Sequence, residues 1–189
     1  MNRIYQLMLS AMMLMTVSVA VAKDWPQWRG PDRNDISKET GLKQDWKKDA
    51  PKLLWTNREV GRGFSGTSVV GDKIYTLGCR NEEKDFVICI DAKTGKELWS
   101  THFANFNNYD RGGGPRGNAT VVDGMLYAIG PKGDIVAVDA EKGTIIWQKE
   151  FNKDLGGKLM SGWGYSESPL VDATMSSAPP AEQKERSSP

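Results

Sequence analysis

Two stretches of this chain repeat each other. The first opens Thr67-Ser68-Val69-Val70-Gly71-Asp72-Lys73-Ile74-Tyr75 and closes Ile90-Asp91-Ala92-Lys93-Thr94-Gly95-Lys96-Glu97-Leu98-Trp99. The second opens Ala119-Thr120-Val121-Val122-Asp123-Gly124-Met125-Leu126-Tyr127 and closes Val138-Asp139-Ala140-Glu141-Lys142-Gly143-Thr144-Ile145-Ile146-Trp147. The offset is 52 residues at the front and 48 at the back, so the copies differ in a loop between their matched ends. A third copy opens at Ser168-Pro169-Leu170-Val171-Asp172, 49 residues on when Leu170 is matched to Val121. A unit of this length cannot bury its apolar surface alone, and stacking on its neighbours is what gives such repeats a core.

Each copy alternates apolar and polar residues in short runs separated by turn residues, at Thr67 to Val70, Lys73 to Leu77, Phe86 to Ile90 and Glu97 to Thr101 in the first. Gly71-Asp72 and Asp123-Gly124 are two-residue hairpin signals, and Gly95 and Gly143 supply residues able to take positive φ. The expected class is all-β: a partial β-propeller of four-stranded antiparallel blades, about two complete plus fragments. Trp99 and Trp147 end the outer strand of each copy, where a large ring can pack across to the next sheet. Trp55, 44 residues before Trp99, has the place of the same strand in an earlier, incomplete blade. Trp55, Trp99, Trp147, Gly95 and Gly143 are therefore the expected blade-docking residues.

Composition narrows the function classes. Lys and Arg number 25 against 24 Asp and Glu, so no polycationic surface for nucleic acid is expected. One histidine, His102, excludes sites built from several, and two cysteines are too few for a four-thiolate zinc site. His102 sits in no nucleophile signature and reads as a surface or inter-strand residue. Residues 1–22 read as a signal peptide: Arg3, an apolar run from Leu7 to Val21, and an Ala20-Val21-Ala22 cleavage site before Lys23. A periplasmic or secreted protein without a transmembrane anchor after cleavage is expected, with the repeat domain over 23–172. Cys79 and Cys89 fall on neighbouring strands; a cross-strand disulfide and two unlinked buried thiols are both open, the second being expected.

The runs 91–99 and 139–147 resemble the tryptophan-docking repeat of the pyrroloquinoline quinone (PQQ)-like β-propellers. Trp25-Pro26-Gln27-Trp28-Arg29-Gly30-Pro31 resembles the start of the mature region in secreted members of that family. The resemblance spans roughly residues 24 to 172 and implies the fold more than an activity. Within the family, quinoprotein dehydrogenases hold PQQ beside calcium, with an aspartate base and commonly a vicinal disulfide; this chain has no adjacent cysteines, and no acidic residue matches those ligands. PQQ as a cofactor is thus implied by the resemblance alone. BamB-type scaffolds bind partners through propeller loops and are lipoproteins, and no lipidation cysteine stands at the cleavage point here.

Gly112-Gly113-Gly114-Pro115-Arg116-Gly117 fits the spacing G-x-G-x-x-G, but a β-pattern rather than a helix follows it, so an inter-blade loop is expected. The segment from Phe103 to Arg116 is the longest stretch between strands and mixes aromatic with hydrogen-bonding groups. Arg62, Phe64, Tyr109, Arg111 and Arg116 are the candidate contacts to a ligand or partner, a protein or a glycan. Asn118-Ala119-Thr120 matches a glycosylation acceptor at a strand start and is discounted. Residues 173–189 form a Ser/Pro/Glu/Lys tail without alternation, read as disordered or out of frame. If one base was lost before Ala173, restoring it gives a Gly-Asp turn and a strand like Lys73 to Tyr75, so a frameshifted or truncated product is expected. The expected function is a non-catalytic exported binding or scaffold module, with a fragment of a PQQ-dependent dehydrogenase as the alternative.

Overall fold

A computed structural model describes residues 23–109, 112–159 and 162–172. The signal expected over 1–22, candidate Arg111 and the tail 173–189 lie outside the described residues. The turn at Gly71-Asp72 joins β1 (Ser68–Val70) to β2 (Lys73–Arg80), with Gly71 at φ +58°. β3 (Lys84–Asp91) and β4 (Glu97–Asn105) complete an antiparallel four-stranded sheet in sequence order. A small hairpin, β5 (Asn108–Tyr109) with β6 (Gly112–Gly113), interrupts the connection to the second sheet. That sheet holds β7 (Thr120–Val122), β8 (Met125–Ile129), β9 (Asp134–Asp139) and β10 (Ile145–Glu150), again antiparallel in sequence order.

The duplication extends to register. Ser68, Tyr75, Cys89 and Trp99 lie opposite one another across the first sheet, and Thr120, Tyr127, Ala137 and Trp147 across the second. Tyr75 and Trp99 rings sit 6.1 Å apart at 50°, and Tyr127 and Trp147 have the same separation and tilt. Each outer strand carries a bulge before its tryptophan, leaving Leu98 in one sheet and Ile146 in the other as the extra residue. An extra residue resets the alternation, so adjacent apolar positions take different directions.

The two sheets stack through opposite faces. Tyr75, Leu77, Val87, Cys89 and Phe103 of the first meet Leu126, Ala128, Val136 and Val138 of the second in one continuous core. Both cysteines are buried and unlinked. The described residues thus form a partial β-propeller, with two complete blades and the beginning of a third. Ser68 Oγ donates to Ala119 O at 2.6 Å between the two inner strands. Thr120 Oγ1 donates to Pro169 O at 2.6 Å, which sets Pro169 against the second inner strand as Ala119 is set against the first. A single helical turn, Phe151–Asp154, follows β10. No helix among the described residues is long and apolar enough to cross a membrane.

Candidate functional site

Turns between the third and fourth strands of each blade are built alike. Asp91 Oδ1 accepts the N–H groups of Lys93 and Thr94 and the Thr94 hydroxyl, while Asp139 Oδ1 accepts the N–H groups of Glu141 and Lys142. These hydrogen bonds favour the ionised carboxylate and hold Asp91 below the usual carboxylate range. Gly95 (φ +71°) and Gly143 (φ +74°) then turn the chain in the left-handed region. A Cβ on Gly95 would fall 2.4 Å from the Trp55 ring, and one on Gly143 would fall 2.7 Å from the Trp99 ring. Trp55 Nε1 donates to Ala92 O at 2.9 Å. Trp147 has no such turn among the described residues and is 39% exposed.

At the opposite margin of the blades, the segment around Trp25 runs beside the inner strands. Trp25 and Val69 exchange both backbone hydrogen bonds, at 2.8 and 2.9 Å, and Pro26 O accepts Val121 N–H at 2.9 Å. Asp24 Oδ1 accepts the Gly71 N–H at 2.8 Å. Trp25 covers Gly30, where an added Cβ would lie 2.7 Å from the ring. One segment therefore straps both blades at their inner edges and carries Trp28 onward, half exposed at 51%.

Three connections lead into successive inner strands, and they converge on one end of the blades. Gly66 N–H donates to Asn118 Oδ1, and Asn118 N–H donates to Ser168 Oγ, both at 2.9 Å. Beside them lies a cleft of about 430 Å³ lined by Trp28, Phe64, Arg116, Asn118 and Glu167, among others. The Arg116 guanidinium stands 5.0 Å above the Phe64 ring and donates from Nη2 to Gly112 O at 2.5 Å.

The structure brings Phe64 and Arg116 together and separates Arg62 from them. Arg62 shares two backbone hydrogen bonds with Cys79, and its side chain pairs with Glu82 in a different cleft of about 520 Å³. Tyr109 contributes its backbone to β5. The glycine run exists for close approach: Cβ atoms on Gly112 and Gly113 would meet the Phe64 and Phe106 rings at 2.7 and 2.2 Å. The chain after it continues into β7, so no helix N-terminus faces that loop. His102 is exposed, with its ring 5.7 Å from that of Phe86. Trp28 and Glu167 are cleft residues that local sequence does not signal, because positions far apart in the chain bring them together.

Asp85 is fully buried on β3, opposite Cys79, and neither carboxylate oxygen has a hydrogen-bond partner among the described residues. Burial pushes its carboxyl up to about 6, against a smaller opposing influence from the Cys79 thiol. Burial likewise pushes both thiols, Cys79 and Cys89, up to about 11. Such thiols stay protonated and poorly nucleophilic at neutral pH. No group of three or more His, Cys, Asp or Glu among the described residues is placed to hold a metal ion. The described lining of the cleft carries one cation, Arg116, and one anion, Glu167.

No curated protein sequence matches the chain. Among solved structures, it is similar to quinohemoprotein alcohol dehydrogenase from Comamonas testosteroni, with a TM-score of 0.53, 19% identity, 82% of this chain covered and 23% of that one. A europium-containing methanol dehydrogenase gives a TM-score of 0.50 at 19% identity, covering 69% of this chain and 23% of that one. BamB from Moraxella catarrhalis is also similar, at a TM-score of 0.33 and 20% identity over 48% of this chain and 23% of that one. The chain thus spans less than a quarter of the length of these proteins, and the likeness to the two dehydrogenases is one of fold. The family model described as outer membrane protein assembly factor BamB matches residues 43–161, more than half of the sequence and both complete blades, and the chain belongs to that family.

Proposed function

We propose that the chain is an exported, non-catalytic binding or scaffold module that engages a protein or a glycan through the connections leading into its inner strands. One observation carries this reading: Phe64 and Arg116, from two connections, meet in a cleft where a third connection supplies Glu167. Rigid sheets that present side chains from several loops make a recognition surface without any reacting group. The family description, an outer membrane assembly factor, supports a role in the cell envelope. Export rests on the signal-type pattern of residues 1–22.

The second reading, a fragment of a PQQ-dependent quinoprotein dehydrogenase, rests on the fold shared with the two dehydrogenases. Incubating the protein with PQQ and calcium and adding an alcohol or a sugar separates the two. The binding module gives no change in quinone absorbance, and turnover would overturn it. A photo-crosslinking amino acid at position 64, used in intact cells, should capture an envelope component, and Arg116→Ala should reduce the yield. Loss of all adducts would also count against the module.

A further inference from the structure

We propose that the cleft between Trp28, Phe64 and Arg116 binds a neutral saccharide, with Trp28 as the stacking platform and Phe64, under Arg116, as a second apolar wall. This rests on the recognition role given above to the same loops and goes further by fixing the ligand class. Three features of the lining select that class. First, its described lining carries one charge of each sign. Arg116 is the cation, held over Phe64, and Glu167 is the anion, its Oε2 accepting only the Ser166 N–H at 2.8 Å among the described residues. A phosphate or polycarboxylate entering the cleft would meet the Glu167 carboxylate as well as the Arg116 cation.

Second, an indole is left half open beside polar groups. Trp28 is 51% exposed, and Phe64 completes the wall, its N–H donating to Pro115 O at 2.8 Å, Gly112 abutting its ring edge and Arg116 lying over one face. An aromatic plane held at a cleft wall suits the C–H face of a pyranose, whose hydroxyls then project sideways. Third, the sideways positions carry hydrogen-bonding groups that the fold uses only in part. Asn118 accepts the Gly66 N–H through Oδ1, and its Nδ2 has no partner among the described residues. Ser65 Oγ donates to Gly117 O at 2.8 Å and keeps its lone pairs for an incoming hydroxyl. A purely apolar ligand would leave these groups unsatisfied, which costs about 1–3 kcal/mol per buried group.

At about 430 Å³ the cleft admits one to two sugar rings, so short oligosaccharides are the appropriate probes. The experiment titrates the protein with maltotriose, cellotriose and chitotriose, followed by tryptophan fluorescence and by saturation-transfer NMR. Trigalacturonate and PQQ serve as anionic comparisons. The expected result is saturable binding of at least one neutral trisaccharide, weakened about tenfold or more by Trp28→Ala and by Phe64→Ala, with Trp28→Tyr retaining most of it. Thermal melts of each variant keep loss of binding separate from loss of fold.

Binding only of trigalacturonate or PQQ would overturn the proposal. So would neutral-sugar binding that survives both alanine variants, or absence of sugar binding while crosslinks at position 64 persist. The last outcome removes the saccharide and leaves the binding module standing. Loss of both signals removes both.

Discussion

The indole of Trp99 occupies the space in which Gly143 would carry a side chain: a Cβ there would lie 2.7 Å from the ring. Trp55 and Gly95 repeat the arrangement one blade earlier. Because both glycines also have positive φ, two separate costs attend any substitution there.

Comparison with Gly124 separates those costs. It has φ +76°, close to Gly143, yet a Cβ on it would meet nothing within 4 Å. Gly124→Ala should lose only the left-handed penalty, roughly 1–2 kcal/mol. Gly143→Ala and Gly95→Ala should lose at least about 2 kcal/mol more, since a ring must move as well. Urea denaturation of the three variants gives the comparison. Equal losses would mean that the indoles yield without cost.

Hydrogen bonding of the two indoles differs in a way that can be measured. Trp55 Nε1 reaches Ala92 O, whereas the matching oxygen, Ala140 O, accepts the Tyr75 hydroxyl at 3.1 Å and the buried Trp99 Nε1 has no partner among the described residues. Tyr75→Phe should release Ala140 O to the indole and therefore cost less than about 1 kcal/mol, below the usual range for exposing a buried acceptor. Trp99 Nε1 should then gain slowed hydrogen exchange by NMR. A loss of about 2–3 kcal/mol with unchanged exchange would show that the indole cannot shift.

Asp85 sets a pH dependence with a definite sign. Its carboxyl is raised to about 6 in the fold, from about 4 in an unfolded chain, so the folded state binds more protons between those values. The stabilisation is complete below about pH 4 and is lost as pH rises through about 6. Asp85→Asn should remove that dependence and raise stability at pH 7–8 by roughly 2–3 kcal/mol. Melting temperatures from pH 4 to 8 report it, and a wild-type stability that increases across this window through Asp85 would contradict the burial argument.

Trp99 and Trp147 match in sequence and strand register but not in surroundings. Trp99 packs against the buried core, so Trp99→Ala should cost about 3–5 kcal/mol. Trp147, 39% exposed, should cost less than half of that on the same substitution. Calorimetry of the two variants distinguishes them, and equal costs would imply that Trp147 is covered in solution.

Blade topology was legible because period-two alternation, the Gly-Asp and Asp-Gly turns and the recurrent tryptophan are all local signals. Strand lengths were less so. The sequence reading ends the second strand at Leu77, but β2 runs to Arg80 through Gly78, where Val60 O comes so close that a Cβ would lie 1.8 Å from it. A glycine that reads as a breaker is there to admit another backbone. The bulges at Leu98 and Ile146 were hidden as well, since two adjacent apolar residues carry no information on which one is extra. In the cleft, Phe64 and Arg116 were flagged from their places before inner strands. Trp28 and Glu167 reach it from 36 residues before Phe64 and 51 after Arg116, and no local pattern encodes such a meeting.

The strap at Trp25 and Pro26 has a consequence for the order of events during synthesis. Its partners, Val69 and Val121, belong to different blades, the second made much later than the strap itself. The segment can pair with Val69 once the first inner strand exists, but its hydrogen bond to Val121 must wait for the second blade. Non-local pairing of this kind slows acquisition of the native state, because ends far apart must meet before any contact rewards them. The Pro26–Val121 bond is thus a late seam, able to close only when the second inner strand lies beside the first.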